Sequence, residues 1–296
     1  MQPLAINLGA LPALLLLASL ATSDPARAHW TFDTEAGVAY DNNLGNAQSG
    51  IDMLSDHALY AALAASQTRY LEDGGAFSWG GRLAGERWNR YRGLDNLALG
   101  GTLAYRRKLD LGPYAPWWRA AWSSSALGYR DDARSGWLHQ ADLGVGKRFD
   151  EHWNLALNLR LEKRDAKTQP QEAPGISGDV YSQMSRAMGL SAEYAASRDV
   201  VLNLGGLARR GDVVSTSHRY REVFLVSKAI ADDSALGEDR YAYRLNATTY
   251  LLNAGVALVL SPDSHLSFNL QRALTHGDGN NNYAKKIASL AWTGNF

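Results

Sequence analysis

The chain has no cysteine in its 296 residues, which removes disulfide staples and thiolate sites from consideration. It has no excess of either charge, with 30 Lys and Arg against 30 Asp and Glu. Binding to phosphate backbones leaves a basic footprint, so nucleic acid is excluded as the main partner. The apolar run LGALPALLLLASLA at 8–21 is too short to cross a bilayer comfortably as a helix. No G-x-S-x-G occurs, and His139, His218, His265 and His276 are scattered without a serine at a recognisable spacing. What is abundant is Gly (28), Tyr (14) and Trp (9), at a mean hydropathy of -0.29. That value suits a soluble protein, and equally a membrane barrel whose apolar residues are diluted by as many facing inward.

The start of the chain reads as a secretory leader. After the apolar run, Pro25-Ala26-Arg27-Ala28 supplies a small-x-small cleavage pattern before His29, although MQPLAIN carries no Lys or Arg. Residues 1–28 are therefore expected to be a signal peptide and 29–296 the mature domain. Its loss would take away Asp24 and Arg27 and leave the balance of charge unchanged.

From Trp30 onward the pattern alternates. In WNLALNLRLEKR, Trp153, Leu155, Leu157, Leu159 and Leu161 share one side, against Asn154, Ala156, Asn158, Arg160, Glu162 and Arg164. A helix would scatter those leucines, whereas a strand gathers them on one face. Similar segments lie at 30–41, 59–70, 77–85, 97–105, 114–122, 137–149, 180–194, 200–208, 246–260, 266–274 and 284–296. The expectation is about twelve strands. Their connections alternate between short turns (71–75, 109–113, 150–152, 196–199, 261–264) and longer polar links (41–56, 130–136, 165–179, 211–243, 276–282). Only the 91–95 link is short for its place. The predicted fold is all-β, a single up-and-down antiparallel barrel with both termini on the short-turn side.

Three features turn the apolar face outward, toward lipid. The polar face carries Arg82, Arg106, Arg148, Arg160, Asp142, Glu162 and Glu193, whose desolvation a dry core would not repay. Aromatics including Trp30, Trp79, Tyr105, Trp118, Trp153 and Tyr194 cluster at strand ends on the short-turn side, as an interfacial girdle does. About twelve strands also exceed a small soluble barrel.

The leader, the meander and a last strand reading L-x-W-x-G-x-F (Leu290, Trp292, Gly294, Phe296) resemble a Gram-negative outer-membrane β-barrel across the whole mature chain. The resemblance implies an outer-membrane location, lipid and the barrel-assembly machinery as partners, and an insertion signal at Trp292 and Phe296. Gly294 stands where a large residue is commoner. AYDNNLGNA at 39–47 is similar to the first strand and loop of the barrel in surface lipoprotein assembly modifiers. Twelve-stranded channels for acidic oligosaccharides resemble the arrangement in outline.

The expected lumen lining is Arg82, Arg106, Arg119, Asp142, Arg148, Arg160, Glu162 and Glu193, joined by Glu35, Glu86, Arg164 and Arg209. If the 150–152 turn centres its hairpin, Asp142 falls opposite Arg160. These residues read either as ion pairs shaping a wet interior or as a path for solutes. The 211–243 link, too apolar at Val223, Phe224, Val226 and Ile230 for a purely solvated loop, reads as a constriction, a cap or a partner-binding segment. The Asp and Asn clusters at 41–43 and 277–282 read as turn chemistry rather than calcium sites. The expected function is a narrow passive channel for small polar or anionic solutes. No enzyme, cofactor or metal site is expected. The alternatives are a barrel that binds a surface partner or assists export, and a membrane-embedded hydrolase.

Overall fold

The computed structural model describes residues 30–72, 74–172 and 174–296. The expected leader lies outside these residues. The strands are β1 (Trp30–Asp41), β2 (Asp56–Tyr70), β3 (Gly75–Trp88), β4 (Asn96–Lys108), β5 (Trp117–Tyr129), β6 (Gly136–Arg148) and β7 (Trp153–Ala166). They continue as β8 (Gln183–Ala195), β9 (Val200–Ser217), β10 (Ala229–Asp232), β11 (Tyr241–Ser261), β12 (Ser264–Gly277) and β13 (Asn281–Asn295). All but β10 form the wall, each antiparallel to its neighbour, and β13 returns to pair with β1. This gives the twelve-stranded closed barrel that the alternation predicts. Closure matters because an open edge has nothing to hydrogen-bond in hydrocarbon. The seam is tied at its end by Phe32 N–H to Phe296 O at 3.1 Å and Phe296 N–H to Phe32 O at 2.8 Å.

Side-chain accessibility fixes which face is inside. On β7, Leu161 is 57% exposed and Arg164 only 2%, the reverse of a soluble sheet. The apolar residues therefore form an outward wall, and a wall of this kind is solvated by lipid. Tyr40 lies ten residues beyond Trp30 on the outward side of β1. That spacing is about 34 Å along the strand and about 26 Å along the axis of a barrel tilted by about 40°, matching the apolar band of a transmembrane barrel.

The aromatics expected in a girdle face outward at the short-turn end, several in contact: Tyr105 with Trp118 at 5.2 Å, Trp153 with Tyr194 at 4.8 Å and Phe77 with Trp79 at 5.8 Å. Trp292 faces outward beside them, opposite Ala36. Trp137, next to the start of β6, faces outward toward the other rim.

Three boundaries differ from expectation. The fifth strand starts at Trp117 rather than 114, because the turn closes through Leu109 N–H to Pro116 O at 2.8 Å; the parity of Trp118 and Arg119 is unaffected. Val180 and Tyr181 precede β8 and are wholly buried among the long loops. The 211–243 link is not structureless: β9 and β11 run on as a ribbon to the pair Ser217 and Tyr241. Beyond it come a short helix α1 (Arg221–Val226) and β10, which takes the edge of β11 that β12 vacates at Gly277.

Candidate functional site

The inward face of the barrel is polar throughout its middle. Arg82 Nη2 donates to Glu35 Oε2 at 3.0 Å, across two strands. Asp142 stands opposite Arg160 as the hairpin register required, and Arg160 Nε donates to Asp142 Oδ1 at 2.6 Å. Glu162 accepts from Gln140 Nε2 at 2.9 Å and lies 3.9 Å from Arg209 Nη2. Asn154 Nδ2 donates to Glu193 Oε2 at 2.9 Å, and Asn96 Nδ2 to Glu86 Oε2 at 3.0 Å. Each of these carboxylates is held by a cation or an amide.

Arg106 and Arg119 break this balance. They face each other directly across β4 and β5, and neither forms a salt bridge among the described residues. Arg106 lies 4.8 Å over the Trp117 ring, an inward aromatic that the sequence reading did not single out. Trp117 owes its seat to Gly146 on the next strand, where a Cβ would sit 2.4 Å from the indole. Like charges directly opposite one another are unfavourable unless a counter-charge visits. Arg148 departs from the expected lining. Its parity is inward, but its guanidinium turns to the carbonyls of Asp150 and Glu151 at 3.0 and 2.8 Å, where it braces the exposed turn.

Half a circuit from β5, and on the short-turn side of Arg209, the inward face of β9, β11 and β12 carries amides and no Asp, Glu, Lys or Arg. Asn203 and Asn269 flank Gly255, and Gly205 and Gln271 flank Asn253. A Cβ at Gly255 would stand 2.1 Å from Asn269 Oδ1, so glycine there is what lets the amides meet. The lumen thus opposes a cationic wall to an amide wall.

The long-loop end is covered. From the β9–β11 ribbon, the 218–240 segment reaches the opposite rim, where Leu236 and Ala235 pack with Leu44, Trp88 and Leu94. A Cβ at Gly93 would lie 2.7 Å from Ala235 Cα. Asp233 fastens this lid. Its carboxylate takes Arg134 Nη2 at 2.6 and 2.8 Å and the Thr216 hydroxyl at 2.6 Å, and both Asp233 and Arg134 are 0% exposed. Arg134 also lies 4.4 Å over Tyr181 and 3.3 Å from Asp131. Burial pushes the Asp233 carboxyl up, but the Arg134 charge and the Thr216 hydrogen bond more than offset this and hold it below the usual aspartate range. Burial likewise works against the Arg134 charge, which Asp233 outweighs, raising it further. Nearby, Lys285 and Asp41 form a second buried pair at 2.6 Å. Asp41 also accepts from Asn43 N–H at 2.9 Å, the turn chemistry expected at 41–43.

The histidines remain dispersed. His139 does meet a serine, Ser124, with Oγ to Nδ1 at 2.9 Å on the outward wall, between Trp122 and Trp137. Asp165, opposite Trp137, is engaged by Lys163 at 3.0 Å, and no third group orients the imidazole among the described residues. Ser185 is inward, away from His139.

No protein-family model matches the sequence, and the search of curated proteins found no match. Solved structures do match. An outer membrane channel from Pseudomonas putida F1 is similar over 94% of this chain and 100% of its own, at TM-score 0.57 and 14% identity. The fold is shared with an outer membrane channel. Two further structures are more distant: KdgM porin in complex with disordered oligogalacturonate (TM-score 0.45, 8% identity, 90% of this chain and 99% of its own) and the Pseudomonas putida toluene transporter TodX (0.46, 9%, 92% and 90%).

Proposed function

We propose that the protein is a narrow passive channel of the bacterial outer membrane for small polar or anionic solutes. It is delivered by cleavage of a signal peptide at 1–28 and assembled through Trp292 and Phe296, with both termini periplasmic and the long loops outside. The carrying observation is the Arg106 and Arg119 pair, facing each other on the lumen wall without a salt bridge among the described residues, opposite a face of amides. Charged rings set selectivity in pores. A guanidinium offers a planar fork that matches a carboxylate or phosphate, and it is more weakly hydrated than an ammonium. A solute carrying one anionic group would lean it on Arg106, Arg119 and Arg160 while its neutral polar groups exchanged hydrogen bonds with Asn203, Asn253 and Asn269. Arg82, Asp142, Glu162 and Glu193 keep the remaining wall wet, and Arg148 stiffens the periplasmic rim. The lid closes the outer mouth, so passage requires it to withdraw.

Conductance of the refolded protein in planar bilayers tests the reading. Steps with anion preference are expected, and Arg106→Glu with Arg119→Glu should reverse that preference. A protein that gives no steps even after lid release is not a channel. A second reading, a barrel whose outer face binds a partner, draws on α1, where Leu225 is 69% exposed and Tyr220, Phe224 and Val226 are exposed beside it. Unaltered solute flux in a strain lacking the protein, with loss of a surface partner, would favour it.

A further inference from the structure

Several cations on the outward face have no ion-pair partner among the described residues. Arg272 on β12 and Lys286 on β13 face one another in register on the lipid-facing wall. Both are exposed, and neither has an ion-pair partner among the described residues. A charge on this wall is tolerated toward the interface and resisted at the midplane, and two like charges directly opposite repel. An anion placed between them would relieve that repulsion.

The wall beside them is shaped for the rest of such a ligand. Gly206 stands beside Leu252, and Ala254 and Ala288 stand on either side of Leu270; these small residues leave a trough of about 830 Å³ with Arg272 and Lys286 on its border. On β12 the step from Arg272 to Leu270, and on β13 the step from Lys286 to Ala288, both run toward the short turns. The cations thus lie at the long-loop side of the trough, and its apolar floor extends toward the middle of the membrane. A lipid of the leaflet at that end would run the same way, headgroup level with the cations and chains over alanine and glycine. Arg186 and Arg210 form a second like-charged outward pair, but border no such trough.

We propose that Arg272 and Lys286 bind the phosphate of a phosphorylated lipid in the outer leaflet, whose acyl chains lie in the trough floored by Gly206, Ala254 and Ala288. Cations reaching along the wall place their heads at the interface, and a phosphate has oxygens enough to accept from a guanidinium and an ammonium at once. The site is on the outside of the barrel and is independent of what the lumen carries.

The test uses full-length protein in nanodiscs of phosphatidylcholine containing phosphatidic acid or, in parallel, oleic acid, with retained lipid counted by native mass spectrometry. Wild type should retain phosphatidic acid in preference to either other lipid. Arg272→Gln with Lys286→Gln should lower that retention roughly tenfold or more, while Arg272→Lys keeps it. Conductance should be unchanged in all of them, showing intact barrels. Equal retention of phosphatidylcholine, undiminished retention in the double variant, or an equal loss on Arg186→Gln with Arg210→Gln would each overturn the assignment. Equal occupancy of the cation pair by inorganic phosphate, read as loss of lipid retention at matched concentration, would overturn the lipid as ligand.

Discussion

Replacing Asp233 by leucine strands the Arg134 guanidinium, which is 0% exposed and has Asp233 as its closest ionic partner at 2.6 Å. Breaking a buried pair by removing one member costs about 3–5 kcal/mol, because the other charge stays desolvated. At about 1.4 kcal/mol per tenfold, that moves the lid equilibrium toward withdrawal by roughly two to three and a half orders of magnitude. Asp131, 3.3 Å from Arg134 Nε, keeps part of the compensation and sets the expectation at the lower end. Two assays read the change. Open-level occupancy in bilayers should rise, and trypsin should cut after Arg240, which is 9% exposed with the lid closed. The control is Arg134→Met with Asp233→Leu, in which both charges leave together. Apolar replacement of a whole buried pair is often neutral or stabilising, so this double variant should close again. If the single and double variants open equally, the ion pair is not what fastens the lid. If neither opens, the apolar contact of Leu236 with Leu44, Trp88 and Leu94 suffices.

The latch also has a defined pH range. Asp233 is held below its ordinary value, so its contribution is complete above the unfolded aspartate value of about 3.9 and is lost as pH falls through the lower folded value. Pepsin should accordingly find the lid shut down to the unfolded value of about 3.9 and cut it only in stronger acid; opening at mildly acidic pH would contradict the assignment. Gly37→Ala should weaken the closing seam, since the added Cβ would meet the Leu290 carbonyl oxygen at 2.4 Å and the Tyr60 ring at 2.6 Å. Overpacking of this kind costs roughly 1–3 kcal/mol, and a urea midpoint equal to wild type by heat-dependent gel mobility would refute the predicted clash. Deleting Phe296 removes its two backbone bonds to Phe32 at 3.1 and 2.8 Å, so folding into lipid vesicles should slow, with Trp292→Ala slowing it further; an unchanged rate would remove both residues from assembly.

The wall of the barrel was legible because each strand repeats one rule at period two. Leu155 to Leu161 on one face and Arg160 to Arg164 on the other need only local alternation, and the hairpin centred on 150–152 then sets Asp142 against Arg160. The shared outward side of Trp79, Tyr105, Trp118, Trp153 and Tyr194 follows from the same parity. Contacts that depend on the round of the barrel were not legible. Arg134 and Asp233 are 99 residues apart, and nothing in RDDARSG or AIADD says that they meet. Tyr181 was assigned to a strand because Val180 and Tyr181 carry strand-forming side chains; tertiary burial beneath Arg134 overrode that preference. His139 and Ser124 sit on adjacent strands in register, a pairing that motif spacing along the chain does not encode. Alternation with Trp118 turns Trp117 inward, but the room for its ring comes from Gly146 across the sheet, which the sequence of β5 does not show.

In the proposed channel, selectivity and closure reside at opposite ends of the barrel, and that separation is itself testable. On β5, Arg119 lies ten residues before Tyr129, the last residue of the strand, and Arg134 belongs to the loop beyond it. Ten residues correspond to about 34 Å of strand and about 26 Å along the axis, well past the roughly 7–10 Å within which substitutions usually couple. Arg119→Glu should therefore change ion preference without changing the time spent open, and Asp233→Leu should do the reverse. The combined variant should show both changes at their single-variant sizes. A combined effect that departs from this sum by more than about 0.5 kcal/mol would mean that the lid senses the charge in the lumen, and that the arginine wall and the mouth act as one device instead of two.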